Sequence, residues 1–540
     1  MLLHGKIVTC NTNDSVAEAV AVKNDILVAV GRNSLIENLA DHRTKVIDLK
    51  GRTVTPGLID THTHCASTGL SELQYLDLAY PRVKSIGELA RVVSEKVAKA
   101  EKGEWILGRG WDEALLEERR PITKWDLDSI SPNNPVVLVH TSGHSLVTNS
   151  YGLHIAGIGR ETQSPPGSTI DVKDGEPTGF LKEAHAMNLL LRNAPAATVD
   201  QIKNAVIAME SRWLQEGVTT IRDCGIYGDS RVFLEAYESL NNKSELKLRV
   251  CFTYPVSNAG ELRSVLERIK KPDTAMLRHG AVKTFLDGSC MLRTAWMYET
   301  WNKNYLELDD GNKGYPIIDI DEFKKLVQFA NDEGLQVCIH AIGDKAIDMA
   351  VEAIEKAVSM KPEDCRHSLV HAILPRREIV DKIRRLGIVI ETQSAFMYFL
   401  GDSYAGNLGP RRAREAFPLK TLISNGVTVG NGSDTDVCPL APRYGLWAAC
   451  IRKPLKGLYG FGPFGTEESL TAREALRTYT IEAAKCLRWE HKIGSIEVGK
   501  YADLAVWSDD MYNIPPDELK DLSVMMTIIG GEILYRSPEW

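Results

Sequence analysis

No apolar run in this 540-residue sequence reaches membrane-spanning length, and the opening MLLHGKIVTCNTNDS lacks the apolar core of a secretory leader. Neither a membrane protein nor an exported one is expected. There is no basic excess either. Lys and Arg number 64 against 72 Asp and Glu, a net charge of -8, which argues against a nucleic-acid partner because such binders carry a basic face. No CxxC pair and no compact cysteine framework occurs. The ten cysteines are scattered singly, and in a chain this long they read as free thiols of a reducing, cytoplasmic compartment. Cys65 and Cys438, although close to the motifs below, read as small buried hydrophobes. Repeats and low-complexity tracts are missing. The glycine-rich YGFGPFG (Tyr459 to Gly465) has neither the lysine nor the strand-helix setting of a phosphate loop, so it is a loop. What remains is an ordinary soluble globular composition, with enough length for one large core or two smaller ones.

Both ends of the chain are rich in short apolar runs separated by turns. GKIVTC, AVAVKNDILVAVG and TKVIDLKGRTVTPG predict a small antiparallel β unit at the N-terminal end, and the segments Ile493 to Ser508 and Val524 to Tyr535 do the same at the C-terminal end. The two ends are expected to pair as one β-sandwich, residues 1–55 plus 490–540. Between them, short apolar strands alternate with amphipathic helices such as Asp321 to Gly334 and Lys345 to Met360. Strand ends are expected near His64, Asp223, Tyr254, Asp287, His340, His371, Gln393 and Asp434. Eight strand-then-helix units predict an α/β protein built as a (β/α)8 TIM barrel, with a doubly wound open sheet as the runner-up. The gap between the first two strands is too long for a loop. An inserted α/β subdomain, 70–200, is therefore expected, which leaves 56–69 plus 201–489 for the barrel.

His62 and His64 stand two apart in GLIDTHTH. In an extended strand, residues two apart share a face, so two imidazoles at a strand end make half of a divalent-metal site. Lys283 lies in the apolar strand AVKTFLDGS, where a bare ammonium must pair, neutralise or be modified. His340, His371 and Asp434 end three further strands, and the carboxyl ends of strands are where barrel enzymes keep their chemistry. His140 and His144 are four apart, but the Thr-Ser-Gly between them disfavours a helix and no HExxH glutamate is present, so a zincin site is rejected. His367 reads as a core or supporting residue one layer below His371. Aromatic residues crowd two loops: Trp296, Tyr298 and Trp301, then Phe396, Tyr398 and Phe399. They point to organic substrates with an apolar part, or else seal the insert against the barrel.

Over nearly its whole length the chain resembles the amidohydrolase superfamily, and within it the YtcJ-like (amidohydrolase 3) branch. The resemblance is carried by PGLIDTHTH, GRGWDE, GHSLVTNS, GFLKEA, VKTFLDGS followed by RTA, HAIGDKA, HSLVHA, GSD and GSIEVGKYADLAVW. It implies that His62 and His64 bind a more buried metal, that His340 and His371 bind a more exposed one, and that Asp434 binds metal and shuttles a proton. Lys283 matches a position that related enzymes fill with a lysine carboxylated by carbon dioxide, bridging two metals. The cofactors implied are two divalent ions, zinc first and manganese or iron as alternatives. The rival arrangement keeps Lys283 as an amine and holds one ion among His62, His64, His340 and Asp434. His144 matches a family GH motif and faces the substrate or is a loop residue. Trp111 and Asp112 of GRGWDE line the pocket mouth or are simply packed, and Gln393 and Trp296 are candidate substrate contacts.

The expected activity is metal-dependent hydrolysis of a C–N bond in an amide, N-formyl or N-acyl amine, by metal-activated hydroxide, with Asp434 carrying the proton to the leaving group. A deaminase on the same scaffold and a regulatory protein that has lost turnover are the alternatives, with esterase or isomerase chemistry behind them. The partner expected is a small-molecule substrate, and a homodimer is left open.

Overall fold

The computed structural model describes every residue except 226–229, 303–310, 459 and 461, so Tyr459 and Phe461 of the YGFGPFG loop lie outside the described residues. Eight strands form one parallel sheet: β1 (Leu58–Thr63), β2 (Val218–Asp223), β3 (Arg249–Pro255), β4 (Leu277–Phe285), β5 (Gln336–Ala341), β6 (Ser368–His371), β7 (Val389–Thr392) and β8 (Val429–Asn431). Each is hydrogen-bonded to the next in chain order. At the carboxyl end the seam between β8 and β1 is closed by backbone bonds, from Asp434 N–H to His62 O (2.8 Å) and from His64 N–H to Thr435 O (2.9 Å). Gly432 permits that approach, because a Cβ there would meet His62 N at 2.7 Å. The sheet is a TIM-like barrel. A doubly wound open sheet reverses its strand order at a switch point, and this one never does.

Sequence dictates these elements in a regular way. Strands of a parallel sheet are covered on both faces, and β1, β2 and β5 are buried at every position, their polar residues included. The helix Ile320–Asp332 shows the matching rule for helices. Phe323, Leu326, Val327 and Ala330 are buried at the i, i+3, i+4, i+7 spacing of one face. Asp319 caps its start, and Gly334, at φ 70, ends it in the left-handed region. Inside the barrel, Arg222 of β2 donates to Glu391 of β7 (2.5 Å) and to Gln336 of β5 (2.8 Å), all almost wholly buried. Two charges taken out of water need this pairing, so the interior below the site is a polar plug.

Between β1 and β2, a six-stranded mixed sheet runs in the order Thr169–Lys173, Glu176–Lys182, Ser145–Thr148, Val136–His140, Ile106–Trp111, Leu76–Asp77. Strands from both chain ends share another sheet, in which Thr53–Pro56 pairs antiparallel with Leu504–Trp507. The N-terminal strands are not purely antiparallel, as the turn pattern predicts. Lys6–Val8 pairs in parallel with Thr53–Pro56, and Leu2–Leu3 with Ile47–Asp48. Alternation identifies a strand but says nothing of a partner that arrives from far along the chain. No helix among the described residues is long and apolar enough to cross a membrane.

Candidate metal centre and active site

β1 delivers His62 to the barrel mouth, and His64 follows at the start of the helix Cys65–Gln74. Both rings turn to Asp434: Oδ1 lies 3.4 Å from His62 Nε2 and 3.1 Å from His64 Nε2. Donor atoms of these three residues all fall within 4.8 Å of one another. On the opposite side, His340 (β5) and His371 (β6) stand with ring centroids 4.5 Å apart, and the His62 and His371 rings are 5.4 Å apart. His371 and Asp434 have φ of 70 and 54. Left-handed backbone is costly for residues with a Cβ and concentrates where function demands it.

Three of the four rings have one nitrogen committed elsewhere, which decides the nitrogen left for a cation. His62 Nδ1 is 3.2 Å from Cys224 Sγ, His371 Nδ1 is 2.6 Å from Gln393 Oε1, and His340 Nε2 is 3.0 Å from the Gly288 carbonyl. Burial holds His62 and His340 well below the usual histidine range, helped by the neighbouring Lys283 charge on His62 and the His371 ring on His340. His371 is pushed down to about 3, chiefly by burial. Neutral imidazoles are what a metal requires. Asp434 goes the other way: against the upward push of burial, the surrounding histidines hold its carboxyl well below the carboxylate range.

Lys283 is fully buried in β4, its Nζ lacks a hydrogen-bond partner among the described residues, and burial lowers its pKa. His64 Nδ1 is likewise buried and unpartnered. Orphaned buried polar atoms are rare in proteins. Here they sit beside a carboxylate and three histidines, a donor set that suits a divalent cation of the zinc type. The residues present fit such an ion.

The site forms the floor of a cavity of about 580 Å³, lined on its apolar side by Met187, Phe285, Ile317 and Val437. His144 lines it, its ring 5.0 Å from that of His340. Four other expected substrate contacts do not line it. Trp111 is wholly buried and donates its indole N–H to Leu138 O (3.1 Å), so it is core of the insert. Asp112 belongs to a separate buried group with Glu113 and His140, and burial, then Glu113, pushes its carboxyl up to about 6. Trp296 packs under the Lys345 ammonium (4.5 Å). Gln393 acts through His371 instead of touching the cavity. The aromatic loops mostly pack on themselves and their neighbours: Tyr398 stacks on Tyr444 and Phe396 on the His371 ring. His140 turns to Glu113 Oε2 (3.0 Å), away from any pairing with His144, and His367 is core, its Nδ1 accepting from Val337 N–H (3.1 Å).

Sequence reasoning missed several residues. Asp60, in GLIDTHTH itself, accepts from Ser433 N–H (2.9 Å) and Oγ (2.6 Å) and so pins the GSD loop to β1. Arg109 pairs with Asp436, and both line the cavity. Glu183 holds His144 Nδ1 (2.8 Å). Arg109 and Glu183 stand inside segments that carry the resemblance, so the signal was present without a role attached.

A family model described as the amidohydrolase family matches residues 45–535. The chain belongs to the amidohydrolase family. Among its relatives, this amidohydrolase is 31% identical over 548 residues to Protein LONG AFTER FAR-RED 3 of Arabidopsis thaliana (99% of this chain, 91% of that one). It is 32% identical over 525 residues to the putative amidohydrolase YtcJ of Bacillus subtilis (96% of each). It is 27% identical over 551 residues to the N-substituted formamide deformylase of Arthrobacter pascens (99% and 98%). Among solved structures, an uncharacterized metal-dependent hydrolase from Pyrococcus furiosus superimposes with a TM-score of 0.72 at 28% identity, covering 95% of this amidohydrolase and 99% of that chain.

Proposed function

We propose that this amidohydrolase hydrolyses the C–N bond of an amide, N-formyl amine or N-acyl amine, using two divalent ions, zinc first among them, held by His62, His64, Lys283, His340, His371 and Asp434. The observation that carries the reading is the convergence of His62, His64 and Asp434 donors within 4.8 Å on the floor of a largely apolar cavity. The formamide deformylase relative supports the substrate class.

Bound at this site, a divalent cation supplies Lewis acidity and draws the pKa of water toward about 7. The chain's own residues do the rest. Asp434, held anionic, takes the proton of the attacking water and returns it to the leaving nitrogen. Burial keeps His62, His340 and His371 neutral, with lone pairs to donate. Lys283, its pKa lowered, would serve as a ligand once carboxylated: its neutral amine would add to carbon dioxide with loss of one proton, giving an anionic carbamate suited to hold divalent cations. His144 faces the acyl group from the insert side, and Met187, Phe285 and Ile317 receive an apolar substituent. The chain then divides into a catalytic barrel (56–69 plus 201–489), an inserted α/β subdomain (70–200) that supplies Arg109, His144 and Glu183, and a β-sandwich from both ends (1–55 plus 490–540). A cytoplasmic setting is supported by ten cysteines that are all free and buried.

Elemental analysis of protein purified without chelators is expected to give about two zinc per chain, and a screen of N-formyl and N-acyl amines to release free amine. Asp434→Asn should cut turnover by about 10²–10⁴-fold. Near-normal turnover in that variant, or no metal uptake by the wild type, overturns the reading.

A further inference from the structure

The strand Glu176–Lys182 pairs antiparallel with Ser145–Thr148, with Ser145 opposite Lys182. The next step of that ladder sets His144 opposite Glu183, and the two residues are joined twice. Glu183 N–H donates to His144 O (2.7 Å), and Glu183 Oε2 lies 2.8 Å from His144 Nδ1. The other carboxylate oxygen accepts from Thr294 Oγ1 (2.5 Å), on the loop after β4. Gly288 leaves the space for this, since a Cβ there would overlap both the Glu183 carboxylate and the Thr294 hydroxyl. Glu183 is 1% exposed and stands at φ 67, a left-handed conformation that a non-glycine residue keeps only where its surroundings impose it. With Nδ1 facing the carboxylate, His144 has Nε2 left for the cavity it lines, next to His340 and Phe285.

We propose that Glu183 is a positioning residue of the active site: its carboxylate holds Nδ1 of the His144 ring while its backbone N–H holds the His144 carbonyl, so that Nε2 faces the acyl group being hydrolysed. The proposal rests on the hydrolase reading above. A buried carboxylate serving merely to fasten the insert to the barrel would also bond Thr294, but it would have no need to hold Nδ1 of a cavity-lining imidazole as well. An orienting acceptor on the remote nitrogen of a histidine is the arrangement by which that histidine's other nitrogen is aimed.

The test compares the metal-loaded wild type with Glu183→Ala, Glu183→Asp, Glu183→Gln, His144→Ala and the double variant Glu183→Ala/His144→Ala. Kinetics use an N-formyl amine that the wild type turns over, alongside metal content and crystal structures of the same proteins. Glu183→Ala and Glu183→Asp, the second keeping the charge but withdrawing it by a methylene, should lower kcat about 100-fold with KM within about threefold. Glu183→Gln keeps an acceptor at the same place and should stay within about tenfold of wild type. The double variant should be no slower than His144→Ala, because residues acting as a unit are not additive. Metal content should not change, and the His144 ring should swing away in Glu183→Ala and Glu183→Asp. Multiplying losses, a kcat within about threefold of wild type in both of those variants, or an unmoved His144 ring would overturn the proposal. If the wild type hydrolyses no amide, the hydrolase reading fails by itself, and the ring orientation still decides whether Glu183 positions His144.

Discussion

Strain and buried charge concentrate at individual residues of this molecule. Glu183, His371 and Asp434 all hold left-handed backbone at the cavity, a cost the barrel and insert jointly impose. Glu210 shows buried charge away from the site. It sits on the helix Val199–Gln215 and accepts from Lys247 N–H (2.7 Å) and Leu248 N–H (2.9 Å), yet burial pushes its carboxyl up to about 7. Unfolded, it returns to about 4.3. The folded state therefore binds this proton more tightly, and the stability it confers at low pH is lost as pH rises from about 4.3 through about 7. Glu210→Gln removes the ionisation, so chemical denaturation should show the variant gaining about 2 kcal/mol on wild type between about pH 5 and about pH 8. A pH-independent difference would mean that Glu210 is not protonated in the native protein. Residues of this kind were illegible in the sequence. His62 and His64 could be read from a period of two and Lys283 from a charge in an apolar run, because both signals are local. Glu183 and Cys224 acquire partners 39 and 162 residues away, which no local pattern encodes. Trp111 and Trp296 were misplaced for the converse reason: nearness to a motif does not say which way a side chain points.

Elements follow their sequence signals more faithfully, because capping and periodicity act within a few residues. The helix Ile320–Asp332 starts where Asp319 Oδ1 accepts from both Asp321 N–H and Glu322 N–H (3.0 Å each), satisfying two of the four donors a helix leaves open. Asp319→Ala should cost about 1 kcal/mol of stability by denaturant unfolding. Because Asp319 also lines the cavity, its effect on turnover should be read in the same variant. A loss of only a few tenths would show that water replaces the cap. Eight strand-helix alternations made the barrel legible for the same reason. Strand ends were less so: β8 stops at Asn431, three residues before Asp434, because the chain turns there to meet β1. Pairing direction at the N-terminal end was not legible at all, since Lys6–Val8 takes its parallel partner, Thr53–Pro56, from far along the chain.

At the scale of the whole molecule, the barrel has to be joined to the sheet built from both chain ends, and buried charge makes the joint. Arg249 of β3 reaches Asp503, at the edge of strand Leu504–Trp507, through Nε–Oδ2 (2.6 Å) and Nη2–Oδ1 (2.9 Å). Asp503 Oδ1 also accepts from Gly530 N–H (2.9 Å), and the guanidinium lies 3.9 Å over the Tyr501 ring. Both charged side chains are at most 4% exposed. A planar fork on a carboxylate in such a place is strong because water cannot replace either partner. Removing one partner leaves the other charge stranded, so Asp503→Ala should cost about 3–5 kcal/mol. An exposed pair such as Arg160 with Glu176 provides the contrast: Arg160→Ala should cost under about 1 kcal/mol. Metal content in Asp503→Ala should match wild type, since no metal-site residue touches the pair. A loss under about 1 kcal/mol would show that water reaches Arg249 and that the joint rests on apolar packing instead.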